Sequence, residues 1–220
     1  MDKIVLNNDQ LLRNQVYTFL HKQMMDQVLH PGDTVSMKQL IDTLGVSRSP
    51  LRDALLLLQS EGFITIFPQR GIVINALTQS DVLDIYEFLG ALESRIVLSV
   101  FDKIGKSKIE KMKSINRKLE IFKNNNNVEA YNDMNIKFHN VFVSLSTNQI
   151  ILQNVLIKKN RLYDFCKINY GPEWAKDNIR EHQELINLFE QKDAVATANY
   201  LRDVHWVYSG RSFCTLLSDK

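Results

Sequence analysis

The pattern of apolar and polar positions changes near residue 76 and predicts a different architecture on each side. Residues 9–29 and 36–58 carry apolar side chains at helical spacing, and residues 63–67 and 72–74 have the composition of short strands. From residue 81 onward the spacing is helical in six segments: 82–101, 106–123, 128–146, 148–169, 174–190 and 194–209. We therefore expect a mainly α protein in which residues 1–76 form a helical domain with a β-hairpin and residues 77–220 form an all-α bundle.

Residues 36–58 predict two short helices joined by a tight turn. Gly45 follows the first apolar stripe, where a left-handed residue can end a helix. Ser47 can cap the second helix, and Pro50 is tolerated in its first turn. Arg48 and Arg52 are four residues apart and share the exposed face. A planar guanidinium can bind guanine or phosphate with two hydrogen bonds, whereas an isolated exposed arginine is usually only solvated.

The predicted hairpin follows directly, with its turn at residues 68–71. Arg70 lies at this turn and can reach a minor groove or a phosphate backbone. A turn, a capped helix with paired arginines and a basic wing in this order are typical of a winged helix-turn-helix that binds duplex DNA.

This segment resembles the GntR family of bacterial transcription regulators. The matching residues are Pro31-Gly32, Leu40, the run from Leu44 to Leu55, Glu61-Gly62 and Gly71. The resemblance implies DNA contacts from one set of side chains and wing residues: Lys38, Ser47, Arg48, Ser49, Arg52, Gln69, Arg70 and Gly71.

The charge distribution limits how this DNA contact can work. The chain has 27 basic and 25 acidic residues, a net charge of +2, and residues 1–75 are formally neutral. Nonspecific affinity for DNA grows with the number of phosphates neutralised, so a neutral domain depends on a local basic patch. We therefore expect a homodimer that doubles this patch on a palindromic operator.

Three histidines occupy helical positions in the second domain: His139, His182 and His205. Asn135 precedes His139 by four residues and shares its helix face. Imidazole nitrogens with one oxygen ligand suit Zn²⁺ or another first-row divalent ion. Any one of these histidines, taken singly, is more often a core or surface residue than a ligand.

Residues 81–209 resemble the all-helical effector domain of the FadR-like (FCD) subfamily. The matching positions are Leu92-Glu93, Phe138-His139, Ser146-Thr147-Asn148, Glu181-His182, Lys192-Asp193-Ala194 and His205. The resemblance implies a divalent metal held by an aspartate and three histidines, but Asn135 stands at the aspartate position. The amide removes one negative charge, and Asp133 points to another side of the helix.

An organic acid is the effector class that this site favours, because a neutral ligand shell leaves the metal its full charge. Members of the subfamily often carry an arginine four residues before the glutamate, but this chain has Leu89 there. Arg95, Arg161 and Asn148 are the candidate effector contacts, with Tyr163 or Trp174 shaping the pocket. A surface position or an ordinary salt bridge is an equally good interpretation for each arginine.

The sequence lacks an apolar run long enough to span a bilayer and lacks a signal peptide at its start, so we expect a cytoplasmic protein without a membrane partner. Cys166 and Cys214 have no metal-ligand spacing and suit reduced thiols. The leading hypothesis is a repressor, not an enzyme, whose operator affinity depends on a small metabolite. Two alternatives stay open: a helical domain that only dimerises, and a metal-dependent hydrolase, for which no general base is evident.

Overall fold

A computed structural model describes residues 11–68, 70–165 and 172–207, without the side chains of 163–165 and 172. The chain divides into two compact units, with the boundary between Ala76 and Leu77. No helix in the described ranges is both long and apolar enough to cross a bilayer.

The first unit contains three helices and a small sheet. The helices are α1 (Leu12–Met25), α2 (Met37–Leu44) and α3 (Arg48–Ser60), and the strands are β1 (Thr34–Val35), β2 (Ile64–Phe67) and β3 (Gly71–Ile74). The strand order is β1-β3-β2 with both pairs antiparallel. The expected β2–β3 hairpin is present. Strand β1 was not predicted from the sequence, because it is only two residues long; it pairs with β3.

Local signals fix the turn between α2 and α3. Ser36 and Gln39 form a capping box at the start of α2, and Gly45 ends it in the left-handed region with φ 65°. Ser47 stands at the N-cap position of α3 with extended backbone angles, but its side chain makes no capping hydrogen bond. Its hydroxyl is therefore not used by the helix.

The second unit is an all-α bundle. Its α-helices are α4 (Gln79–Val100), α5 (Lys106–Asn124), α6 (Val128–Val143), α7 (Gln149–Lys159), α8 (Pro172–Gln191) and α9 (Ala194–Tyr200). The segments Asn160–Phe165 and Leu201–His205 continue α7 and α9 as π-helix. The sequence predicted uninterrupted helices over 148–169 and 194–209, and parts of both ranges lie outside the described residues. π-Helical turns are rare and occur often at functional sites.

Helix α4 runs along the bundle core and approaches the C-terminal π-helical segment closely. It begins with a capping box between Thr78 and Asp81. A Cβ atom added at Gly90 would lie 3.0 Å from Trp206 Cβ and 3.4 Å from the carbonyl oxygen of Arg202. Gly90 therefore lets these two segments pack together, which brings His205 and Trp206 toward the helix that carries Glu93.

Candidate metal centre and DNA-binding face

The three histidines named from the sequence meet inside the second unit. His139 lies on α6, His182 on α8 and His205 at the end of the second π-helical segment. All three are buried, and one ring nitrogen from each lies within 4.8 Å of one from each of the others. Residues far apart in the sequence thus form one cluster of imidazoles, which we call the three-histidine centre.

Two carboxylates orient two of these rings. Nδ1 of His139 lies 2.7 Å from Glu93 Oε2, and Nδ1 of His205 lies 3.0 Å from Glu181 Oε2. A carboxylate only accepts hydrogen bonds, so Nδ1 is the protonated nitrogen in each neutral ring and Nε2 keeps its lone pair. This is the arrangement in which a carboxylate orients a metal-binding histidine.

The two Nε2 atoms face each other. Nε2 of His139 and Nε2 of His205 are 3.1 Å apart. Two unprotonated nitrogens cannot form a hydrogen bond with each other, so this approach needs a cation or an additional proton between them. Two nitrogens bound to one tetrahedral zinc ion are roughly 3.3 Å apart, given Zn–N bonds of about 2.0–2.1 Å. The spacing of these two donors therefore fits a divalent metal.

His182 completes the centre. Its ring stacks on Phe138 with 3.7 Å between ring centroids and an interplanar angle of 11°. Both of its ring nitrogens are buried and have no hydrogen-bond partner among the described residues. A buried polar atom without a partner is costly in a folded protein. A metal ion would satisfy one of these nitrogens.

Burial keeps two of the three imidazoles, His139 and His182, neutral. It is the largest cause that lowers the pKa of His139 to about 4 and the pKa of His182 well below its usual value. The charge of Lys159 acts in the same direction on both rings, and Glu93 opposes it at His139. These two imidazoles are therefore unprotonated near neutral pH, which is the form that binds metal.

Glu93 is the hub of the surrounding network. It is fully buried, and its Oε2 accepts hydrogen bonds from His139 Nδ1 and from Trp206 Nε1, the latter at 3.0 Å. Its Oε1 lies 2.5 Å from Lys159 Nζ. Burial alone would raise the pKa of this carboxyl, but the interactions with His139 and Lys159 outweigh burial and hold that pKa far below its usual range.

The oxygen ligand expected from the sequence is Asn135. Asn135 is buried and lies one turn before His139 on α6. Asp133 is exposed and pairs with Lys137 at 2.6 Å, so it does not take the place of the missing aspartate. The three imidazoles are therefore the part of the ligand set that the geometry supports.

The structure separates the candidate effector contacts. Arg95 is exposed on α4, and Asn148 is exposed and caps α7 by accepting a hydrogen bond from the Ile151 amide. Neither side chain belongs to the buried three-histidine centre, because both are exposed to solvent. Arg161 is buried at the start of the first π-helical segment. Trp174 packs edge-on against Tyr131, and the side chain of Tyr163 lies outside the described residues.

Six of the eight residues expected to contact DNA are exposed in the first unit. Lys38, Ser47, Arg48, Ser49, Arg52 and Arg70 are exposed, Gly71 is half-buried, and Gln69 lies outside the described residues. None of the four basic side chains forms an ion pair within the described part of the chain. These side chains are therefore available to bind phosphate or guanine.

Four residues around the centre had no role assigned from the sequence: Glu93, Lys159, Glu181 and Trp206. Glu93 and Glu181 appeared there only as parts of matching motifs. A signal existed for Glu93, because a lone acidic residue in an otherwise apolar α4 stripe is unusual. Lys159 gave no such signal, since it adjoins Lys158 and Arg161 in a stretch that looks solvated.

Comparison with known proteins identifies both units. Residues 12–74 match the family described as "Bacterial regulatory proteins, gntR family", and residues 84–204 match the FCD domain. The chain is 30% identical over 204 residues to the HTH-type transcriptional regulator YdhC of Bacillus subtilis, covering 91% of both proteins. It is 21% identical to the HTH-type transcriptional repressor RspR of Escherichia coli, covering 87% of this chain and 84% of RspR.

The fold is shared with solved structures. Escherichia coli McbR/YncC matches with a TM-score of 0.64 and 19% identity, covering 89% of this chain and 94% of that one. A GntR-type regulator from Rhodococcus sp. RHA1 also gives a TM-score of 0.64, at 18% identity, with 87% and 92% of the two chains covered. The relatives are regulators, which overturns the hydrolase alternative. The chain belongs to the GntR family of DNA-binding transcription regulators and carries an FCD domain.

Proposed function

We propose that this regulator is a homodimeric repressor whose affinity for a palindromic operator changes when an organic acid binds beside a divalent metal in the FCD domain. The observation that carries the proposal is the 3.1 Å approach of His139 Nε2 and His205 Nε2, each on a ring whose Nδ1 faces a carboxylate. Names of relatives support repression, since RspR and the gluconate operon regulator of Bacillus licheniformis are both called repressors.

The metal is a ligand of the regulator and has no catalytic task in this proposal. His139, His182 and His205 would hold it, with Asn135 as the candidate oxygen ligand. When bound, it supplies a positive charge and an open coordination position that a carboxylate can occupy. Glu93 and Glu181 fix the imidazole orientations, and stacking on Phe138 fixes His182.

The DNA contact is proposed from the exposed basic side chains of the first unit. Arg48 and Arg52 share one face near the start of α3, which is the part of a recognition helix that meets base edges. Lys38 and Arg70 lie on α2 and at the hairpin turn, positions from which they would bind phosphate. The unused hydroxyl of Ser47 and the exposed hydroxyl of Ser49 can do the same.

The charge of the first unit supports a dimer on a two-fold symmetric operator. Because residues 1–75 are formally neutral, one copy neutralises few phosphates, and two copies double that number. We place the protein in the cytoplasm, where its DNA partner is. An effector can change operator affinity only by binding two conformations of the regulator unequally.

Selection from a pool of randomised duplex DNA tests this proposal and identifies the operator sequence in the same experiment. The full chain should enrich an inverted repeat whose half-sites are about one helical turn, roughly 34 Å, apart. Added zinc and candidate organic acids should then shift the affinity for the enriched duplex. Enrichment of no motif, or of a single unrepeated half-site, would contradict the proposed dimeric operator complex.

A further inference from the structure

Lys159 is a lysine in the core of the FCD domain. Its relative exposure is 3% at the C-terminal end of α7, and its Nζ lies 6.0 Å from the centroid of the Trp206 ring. Within the described residues its ionic partner is Glu93, whose Oε1 lies 2.5 Å away. Burying an ammonium group is costly unless a nearby charge compensates it. Glu93 supplies that compensating charge.

The same carboxylate serves Lys159 and the three-histidine centre. Oε1 of Glu93 faces the lysine, and Oε2 accepts the hydrogen bond from His139 Nδ1. Without metal, the positive charge of Lys159 neutralises the negative charge of Glu93, so the carboxylate does not require a metal cation as its counter-ion. The amide of Asn135 carries no charge and does not change this. The other carboxylate that hydrogen-bonds a histidine of the centre, within the described ranges, is Glu181.

We infer that Lys159 is the internal counter-ion of Glu93, which keeps the FCD domain folded without metal and lowers the affinity of the three-histidine centre for divalent cations. The inference rests on the proposed function, since it takes that centre to be a metal site. An ammonium close to a dication repels it strongly in a buried environment of low dielectric constant. Metal binding is then reversible and depends on the concentration of divalent cations. The domain does not need the metal in order to fold.

Zinc affinity of charge-neutral variants tests this inference. The full-length protein is stripped with EDTA, dialysed and titrated with zinc against a chromogenic chelator. Lys159→Met should bind zinc at least about tenfold more tightly than the parent, because it removes the repelling charge and leaves Glu93 uncompensated. A purely structural role would give the opposite result, since damage to the network weakens binding. Equal or weaker binding by Lys159→Met would overturn the inference.

Lys158→Met is the matched control. Lys158 is the neighbouring residue on α7, but it is only half-buried, and its Nζ lies over the ring of Phe88 at 6.0 Å. The same charge is removed from the same helix without touching Glu93. Its zinc affinity should stay within about threefold of the parent. A tightening equal to that of Lys159→Met would assign the effect to net charge and overturn the specific role of Lys159.

A second comparison covers the case in which stripped Lys159→Met does not fold. Glu93→Gln and the double variant Glu93→Gln/Lys159→Met both lack the carboxylate, so they differ only in the lysine charge. The double variant should bind zinc more tightly than Glu93→Gln, and equal affinities would overturn the inference. If the parent binds zinc but neither comparison shows a difference, the inference fails and the proposed metal role stands. Zinc binding by no protein in the set would contradict both.

Discussion

His139 Nε2 and His205 Nε2 lie 3.1 Å apart although 66 residues separate them in the chain. Each ring is oriented by its own carboxylate, Glu93 for His139 and Glu181 for His205. Holding two lone pairs at this distance costs free energy unless something positive lies between them. The bundle therefore places these nitrogens where a cation would stabilise them.

Replacing His182 by alanine should weaken zinc binding by more than about 100-fold, because loss of a ligand exceeds the 10- to 100-fold cost of losing an orienting partner. Basal operator binding should not change, since His182 lies in the second unit. Chelator competition measures the first effect and fluorescence anisotropy the second. His30→Ala is the matched control, because His30 is an exposed histidine of the first unit. Parent-like zinc affinity in His182→Ala would remove His182 from the centre.

Glu93→Gln should destabilise the second unit by about 3–5 kcal/mol, the usual effect of removing one partner from a buried ion pair. The variant leaves the buried ammonium of Lys159 without its counter-charge and weakens the acceptor for His139 and Trp206. Denaturant unfolding in the presence of EDTA measures this change. A loss below about 1 kcal/mol, which is the range of a surface salt bridge, would show that the Glu93 network does not stabilise the core.

Gly90→Ala should destabilise the protein by about 1–3 kcal/mol, the range for overpacking a core. The new methyl group would lie 3.0 Å from Trp206 Cβ and displace the segment that carries His205. Zinc affinity should fall together with stability. Helix propensity acts in the opposite direction and favours alanine by about 1 kcal/mol. A gain in stability of that size would mean that close packing at Gly90 is not required.

Arg52→Ala should weaken operator binding by about 10- to 100-fold, as expected for loss of one bidentate contact to guanine or a phosphate. Arg52 is exposed on α3 and forms no ion pair among the described residues, so folding should be unaffected. Anisotropy titrations at matched salt measure the change. Arg117→Ala removes an equally exposed arginine from α5 and should bind DNA like the parent. Equal affinities of the two variants would place the DNA-contacting face elsewhere.

Helical periodicity and capping signals were enough to predict the mainly α fold, and strand composition around the turn at residues 68–71 predicted the β2–β3 hairpin. They did not predict β1, because two residues carry no periodicity, nor the π-helical turns after Lys159 and Tyr200. The second of these segments packs closely against α4 at Gly90, a tertiary contact that periodicity does not reveal.

The three histidines could be named from the sequence, because family motifs mark their positions. The sequence could not show that Arg95 and Asn148 are exposed, because it does not reveal whether an arginine or a helix-capping asparagine faces the core or the solvent. Lys159 was missed for the converse reason: a lysine among other basic residues is expected to be solvated, and only the buried carboxylate of Glu93 places it inside.

Metal content of the protein purified without chelator and without a nickel affinity resin tests the central claim most directly. Elemental analysis of the parent and of His182→Ala should be done on preparations made in parallel, with zinc supplied during purification at micromolar concentration. We expect about one divalent ion per parent chain and a large loss in the variant. No metal in the parent, or equal metal in both proteins, would contradict the three-histidine metal centre.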